Sequence, residues 1–298
     1  MKRFLHFSIF TLAVLVGLML AGCQSPEQQY IKKAVRLMDK HGLFAEGPAW
    51  EEARAAALAA KPGTREETYD VVRTALKVAG GKHSFIFTQD KQQEVVASDA
   101  GTSPAVEEMG DGLIRIVLPA FAGLQAGENE RYAQTVLDAL PETVSGVVID
   151  LRGNTGGSMY PMIAAIHRFL PDDDILRFKS RKFTMPVTKE FVLRRVGLAA
   201  RPAIACPVAL LTDSLTASSG EAVLLCFRGL ENTRTFGQPT AGYASANSPY
   251  PMPDGSQLVL TGSCDMARTG ELFCDDPIAP DVTTDQPLEE ALAWLRGR

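Results

Sequence analysis

Gly146-Val147-Val148-Ile149-Asp150-Leu151-Arg152-Gly153-Asn154-Thr155-Gly156-Gly157 is the stretch that decides the fold. Its first half is a short, nearly unbroken apolar run, the pattern of a strand buried on both faces of a parallel sheet. Its second half is polar and glycine-rich, so the backbone there can approach a ligand closely and turn N–H groups toward it. The spacing excludes two nucleotide readings. No Gly-x-Gly-x-x-Gly fingerprint is present, and no Gly-Lys-Ser/Thr of a phosphate loop follows.

On either side of this segment, strand and helix patterns alternate. Residues 113–118 and 208–211 read as strands, and residues 128–140, 159–170 and 217–228 as helices, which implies an α/β domain. Residues 256–261 and 272–274 suggest C-terminal β-hairpins, and residues 288–295 a closing helix. Upstream, Tyr30, Ala34, Leu37 and Met38 fall at helical spacing, and Lys61-Pro62-Gly63 ends that region. Thr64 then caps a second helix, with Glu67 in the capping-box position, and Gly80-Gly81 closes it before a short strand over residues 82–87. The expected organisation is a leader over residues 1–22, a helical cap over 23–80 and one core over 81–298.

The leader is read from Lys2-Arg3, an apolar run from Phe7 to Leu20, and Leu20-Ala21-Gly22-Cys23. The run is short for a membrane span and ends in small residues, as a cleaved export signal does. Leu-Ala-Gly-Cys resembles a bacterial lipobox, which implies lipidation of Cys23 and a location in the cell envelope. Gln24 lacks the character of an inner-membrane retention signal, so in a cell with two membranes the outer one, facing the periplasm, is expected. The net charge of −5 falls to about −7 without Lys2 and Arg3, which argues against nucleic acid as a partner. Export permits disulfides. Cys264 and Cys274 flank a turn and can bridge it, while Cys206 and Cys226 either pair or serve as small buried hydrophobes. None has metal-site spacing, and neither metal nor cofactor is expected.

The chemistry centres on Thr212-Asp213-Ser214-Leu215-Thr216-Ala217-Ser218-Ser219-Gly220-Glu221-Ala222-Val223, where a buried strand gives way to a helix. A hydroxyl at a helix N-terminus stands among free N–H groups and the positive end of the dipole, which suits a nucleophile whose attack creates an oxyanion. A serine there also serves as an ordinary N-cap. The glycine loop at residues 153–157 offers the second set of N–H donors that an oxyanion hole requires.

Taken in order, Asp150-x-Arg152-x-Asn154-x-Gly156-Gly157, Thr216-Ala217-Ser218-x-x-Glu221, Gly237-x-Pro239-Thr240-x-Gly242 and Ile278-x-Pro280-Asp281 resemble the C-terminal processing (tail-specific) protease superfamily, which includes the tricorn core peptidase. The resemblance implies a crotonase/ClpP-like core, Ser218 as nucleophile with Ser219 in reserve, and the N–H groups of Ser219 and Gly156 as the oxyanion hole. It departs from the family pattern at the base. Tyr243 stands where the tail-specific branch has its lysine, and a phenol of pKa about 10 is a poor base. The tricorn-like branch uses a histidine before the core, and Gly80-Gly81-Lys82-His83-Ser84 resembles that site. A neutral imidazole is the natural base for a serine near neutral pH.

His41 falls in the helical cap, and His167 is expected on a solvated helix face. No glutamate aligns with the family's orienting residue. Asp275 or Asp276 can substitute, Ser84 is a further candidate through its hydroxyl, and Tyr243 or Asn247 can donate hydrogen bonds in the site, while Asp150, Arg152 and Glu221 are expected to shape the loops. Only about 25 residues separate Phe85 from Gly110, too few for the PDZ domain usual among tail-specific proteases. The expected activity is Ser/His-type cleavage of polypeptides by a lipid-anchored enzyme. The alternative is an inactive peptidase-fold lipoprotein that binds peptides or scaffolds an envelope complex.

Overall fold

The structure is a computed structural model that describes residues 25–99 and 103–298; the leader and Cys23 lie outside the described residues. Three helices come first, α1 (Pro26–His41), α2 (Gly47–Ala59) and α3 (Arg65–Gly80), followed by β1 (Phe85–Phe87) and α4 (Gln89–Asp99). Then come β2 (Ala105–Glu108), β3 (Leu113–Val117), α5 (Glu128–Ala139), β4 (Gly146–Asp150) and α6 (Met159–Ala165). An antiparallel pair, β5 (Asp174–Ser180) and β6 (Thr184–Thr188), leads into α7 (Lys189–Val196), β7 (Val208–Thr212), α8 (Ser219–Phe227) and β8 (Thr233–Gly237). The chain closes with β9 (Ser245–Pro251), β10 (Gln257–Met266), β11 (Leu272–Phe273), β12 (Val282–Thr283) and α9 (Pro287–Arg296).

Two sheets result. The first runs β12-β8-β7-β4-β3-β2 and is parallel except where β2 meets β3. Its central strands are buried on both faces, as the apolar run at residues 146–149 predicts, and successive side chains serve different layers. Val147 and Ile149 pack with α5, α6 and α8, whereas Val148 joins Ala209, Leu211 and Phe236 beneath Ala291, Leu292 and Leu295 of α9. The second sheet is antiparallel and is built around the long strand β10, which pairs with β1, β5, β9 and β11. Leu258 and Leu260 of β10 and Ile86 of β1 pack against Ile31, Met38, Trp50, Val72 and Leu76 of α1–α3.

Several local expectations hold in detail. The Thr64 side chain accepts from the Glu67 N–H at 3.2 Å, although the Glu67 carboxylate turns to Gly63 N–H rather than to Thr64. Gly81, at φ +71°, ends α3. Cys264 and Cys274 form a disulfide across the β10–β11 turn, while Cys206 and Cys226 are unpaired.

Others need correction. The helix expected over residues 159–170 ends at Ala165 and tightens into a 3₁₀ turn, His167–Phe169. His167 is fully buried rather than solvated, because it works as a strut: Nδ1 lies 2.7 Å from Ala164 O, and Nε2 accepts from Arg201 N–H. The strands β5, β6, β8 and β9 and the helices α4 and α7 go beyond the sequence reading. In β6 and β9 the reason is visible. Pro186, Pro249 and Pro251 break the alternating pattern and are tolerated because each strand lies at the margin of its sheet.

The Cys264–Cys274 bridge closes a loop of ten residues beside the cleft described below. Replacing both cysteines with serine is expected to lower unfolding free energy by about 2–3 kcal/mol. Urea unfolding of the parent should respond to reductant, and that of the double-serine protein should not.

Candidate active site

Asp150 anchors the loop after β4. It is 2% exposed and accepts from Arg115 Nη2 (2.6 Å), Arg152 Nη2 (2.7 Å) and the Arg152 backbone N–H (3.1 Å). Burial works against the charge, but these donors outweigh it and hold the carboxyl below its ordinary range. Asn154, fully buried, then ties the loop to its surroundings. Its Nδ2 donates to Leu118 O, its backbone O accepts from Ala217 N–H, and its Oδ1 accepts from Gly156 N–H at 2.9 Å.

The serine turn follows β7. Ser218 has φ +52° and ψ −113°, a conformation that side-chain-bearing residues rarely adopt and that costs on the order of 1–3 kcal/mol. Glu221 holds it there. Its carboxylate is fully buried and accepts from Ser218 N–H (2.8 Å), Gly242 N–H (2.9 Å), Tyr243 N–H (2.7 Å) and the Thr240 hydroxyl. Gly156 packs directly behind the serine: a Cβ added there would come within 2.8 Å of Ser218 Cβ. The neighbouring hydroxyl is engaged elsewhere, since Ser219 Oγ donates to Gly157 O at 2.6 Å. The hydroxyl expected as the reserve nucleophile is thus held against the glycine loop.

Two N–H groups beside Ser218, those of Gly157 and Ser219, make no hydrogen bond among the described residues. Gly157 is held at φ +113°, with Phe121 O and Ser158 N–H fixing the turn around it. The Gly156 N–H expected in the oxyanion hole donates to Asn154 Oδ1, whereas the Gly157 N–H beside it has no hydrogen bond among the described residues.

His83 enters from the other sheet, just before β1, and lines the same cleft of about 820 Å³ as Ser218, Ser219 and Gly157. Its Nδ1 lies 2.8 Å from Ser245 Oγ at the start of β9. Its carbonyl accepts from Asn247 Nδ2, and Asn247 Oδ1 in turn accepts from Thr261 Oγ1. The Tyr243 ring meets the imidazole edge-on at 5.2 Å, with the Lys82 ammonium 4.5 Å from the ring centroid. Among the described residues no hydrogen bond joins His83 to Ser218, although both line the cleft. Burial, and secondarily the Lys82 charge, lower the imidazole pKa to about 4. The ring is therefore neutral near pH 7, and with the proton on Nδ1 directed at Ser245 the Nε2 lone pair is available as a base.

The orienting group thus differs from the expected set. The Asp275 carboxylate packs against Gly81, Asp276 is exposed, and the Ser84 hydroxyl donates to Gly80 O and bonds Thr261. Ser245 holds the ring instead. It was hidden in a proline-interrupted segment, and its contact spans 162 residues of sequence. Lys40 and His41 from the end of α1 also line the cleft, His41 stacking on Tyr250. Among the described residues, no cluster of three or more His, Cys, Asp or Glu is arranged to hold a metal ion. No described helix is long and apolar enough to cross a membrane.

The profile of peptidase family S41 matches residues 112–284, the span that carries both the glycine loop and the serine turn. The chain belongs to peptidase family S41. Members of this family are serine hydrolases, and the resemblance read from the ordered motifs is borne out. The chain is 31% identical over 284 residues to the nisin-resistance protein of Lactococcus lactis subsp. lactis, covering 91% of this chain and 87% of that protein. A lipoprotein from Streptococcus agalactiae of known structure superposes with a TM-score of 0.84 at 28% identity, covering 93% of this chain and 98% of that one. The carboxy-terminal-processing protease of Bartonella bacilliformis is 25% identical over 178 residues, 60% of this chain but 39% of that longer protein. The similarity to S41 relatives over most of the chain fits a mixed α/β architecture with two sheets.

Two outcomes follow from the geometry. Glu221→Gln sets an amide donor against at least one of four donors, and is expected to cost about 1–3 kcal/mol in urea unfolding. The His83 ring should titrate by NMR with a midpoint near about 4. Because Lys82 disfavours the protonated form, Lys82→Met should move that midpoint upward, and an unchanged midpoint would show that burial alone sets it.

Proposed function

We propose that this S41 member is an exported, lipid-anchored serine peptidase that cleaves polypeptides through an acyl-enzyme. The observation that carries the reading is the strained Ser218 at the N-terminus of α8, opening on the same cleft as a neutral His83. In this reading substrate enters between the two residues. His83 Nε2 takes the proton from Ser218 Oγ as the oxygen attacks the scissile carbonyl. The oxyanion is received by the Gly157 and Ser219 N–H groups, helped by the dipole of α8. His83 then returns the proton to the departing amine, and water, activated the same way, releases the acyl group. Ser245 replaces the usual carboxylate as the group that orients the imidazole, while Tyr243 packs beside it.

Other supports are independent of the catalytic geometry. The Leu20-Ala21-Gly22-Cys23 sequence and the likeness to a streptococcal lipoprotein favour a lipid on Cys23 and an envelope location. Lys40 and His41, reaching the cleft from α1, favour a helical cap over residues 23–80 acting on a core over residues 81–298. The relationship to a nisin-resistance protein favours nisin as a polypeptide to be tested as substrate.

One observation supports the inactive binder instead: His83 lacks both a carboxylate partner and a hydrogen bond to Ser218. A fluorophosphonate probe separates the two. Labelling of the full chain at Ser218, lost in Ser218→Ala and reduced at least about tenfold in His83→Ala, is expected of the peptidase. Absence of labelling in the folded parent would falsify the reading and leave the binder. The labelling rate should fall as pH drops through the His83 midpoint, since the protonated ring cannot accept the serine proton.

A further inference from the structure

One buried acid in the cleft has no part in this chemistry. Asp265, on β10, is 2% exposed, and among the described residues it is the only acidic one in the cleft lining. Its Oδ1 is fully enclosed without a hydrogen-bond partner, and no hydrogen bond or ion pair reaches Oδ2. The titratable groups that reach it are Glu221 and Cys226 of α8, neither of them a cation. Two other buried carboxylates around the site are satisfied, Asp150 by two guanidinium groups and Glu221 by four donors, while Asp275, whose Oδ1 also lacks a partner, does not line the cleft. Buried polar groups are nearly always paired, and an orphan carboxyl destabilises the fold that carries it. A group of that kind at the wall of a cleft is explained if its partner arrives from outside.

The surroundings define the partner. Phe178 is the cross-strand neighbour of Asp265 on β5, and Ala222 lies between Glu221 and Cys226 on the helix facing it; both line the cleft. An apolar wall with one carboxyl fits a side chain that is itself a hydrocarbon stem with a cationic end. Resting on the peptidase reading, we propose that Asp265 is the specificity determinant of the cleft, receiving a lysine or arginine side chain of the polypeptide substrate. The stem lies along Phe178 and Ala222, and the charged end pairs with the carboxylate. Lys40, Arg181, Lys182 and Arg195 line other parts of the cleft, so a basic residue is favoured at Asp265 and disfavoured elsewhere. That contrast fixes the register of the chain in the groove.

The test reads binding rather than turnover. The full chain carrying Ser218→Ala is titrated with paired peptides that differ only by lysine or norleucine at one position, scanned along the peptide. At one position the lysine form is expected to bind roughly 10- to 100-fold more tightly, since norleucine leaves the carboxyl unpaired. Adding Asp265→Asn should abolish the preference, and Asp265→Leu should turn it toward norleucine. Both variants should melt no lower than their parent, because the carboxyl has no partner to lose. Equal binding of the paired peptides, binding of neither, a preference that survives Asp265→Asn, or a large drop in melting temperature in both variants would each overturn the proposal. Because Ser218→Ala protein cannot turn over, a lysine preference stands even if no peptide is hydrolysed by the parent. Hydrolysis without such a preference leaves the peptidase reading intact and removes this one.

Discussion

The Glu221 carboxylate is the joint on which the site depends. Three backbone N–H groups and one hydroxyl converge on it from two separate segments, the serine turn at residue 218 and the loop at residues 240–243. The Thr240 hydroxyl is committed as a donor because its oxygen already accepts from Ile278 N–H. All four partners therefore address an ionised carboxylate, although burial pushes its pKa upward. This convergence offsets the strain at Ser218. A positive φ on a serine persists only where the surroundings over-determine it, and here the N–H is held from one side while Gly156 leaves room on the other. Close packing behind the serine also explains why that loop position carries no side chain.

The site then follows from how the two sheets divide the work. The parallel sheet supplies the rigid half: strand ends β4 and β7, the glycine loop and the N-terminus of α8. The antiparallel sheet supplies His83 before β1 and Ser245 at the start of β9, both flanking β10. Asn247 and Thr261 bridge these strands, so the imidazole is positioned by its backbone as well as by its ring. Ser218 and His83 are thus built on independent frameworks. The lack of a hydrogen bond between them is consistent with contacts that tighten only when substrate is bound. A hydroxyl partner in place of a carboxylate stabilises the imidazolium less, which agrees with the low pKa of His83.

Legibility in the sequence tracked how local each determinant is. Strands β3, β4 and β7 were readable because they are largely buried and, apart from Arg115 and Asp150, carry almost no charge, and the two loops of the site because glycine, asparagine and hydroxyl residues fall at fixed offsets from those strands. Ser218 and the structural parts of Asp150, Arg152 and Glu221 come from the same segments. Ser245 was not readable, since its stretch has no apolar alternation and its role exists only through pairing with β10. Which of the two adjacent glycines keeps a free N–H is not legible for a related reason: it is decided by the Asn154 side chain, which takes the Gly156 N–H. His167 misled because a histidine beside an arginine looks solvated until the 3₁₀ turn buries it.

Asp265 and Glu221 are within electrostatic reach of each other, and their contrast shows what a buried acid can be used for. Two neighbouring carboxyls out of water do not both ionise readily. With four donors, Glu221 is the one stabilised as the anion; Asp265, with none, is pushed well above the ordinary carboxylate range by burial and, secondarily, by the Glu221 charge. A cation entering the cleft reverses that balance at Asp265 without disturbing Glu221, because three of the four donors of Glu221 belong to the backbone and the fourth, the Thr240 hydroxyl, is itself held by Ile278 N–H. The protein thus separates two demands that a single carboxylate could not meet: one acid is fully satisfied so that the serine turn is rigid, and the other is left unsatisfied so that a substrate charge has somewhere to go.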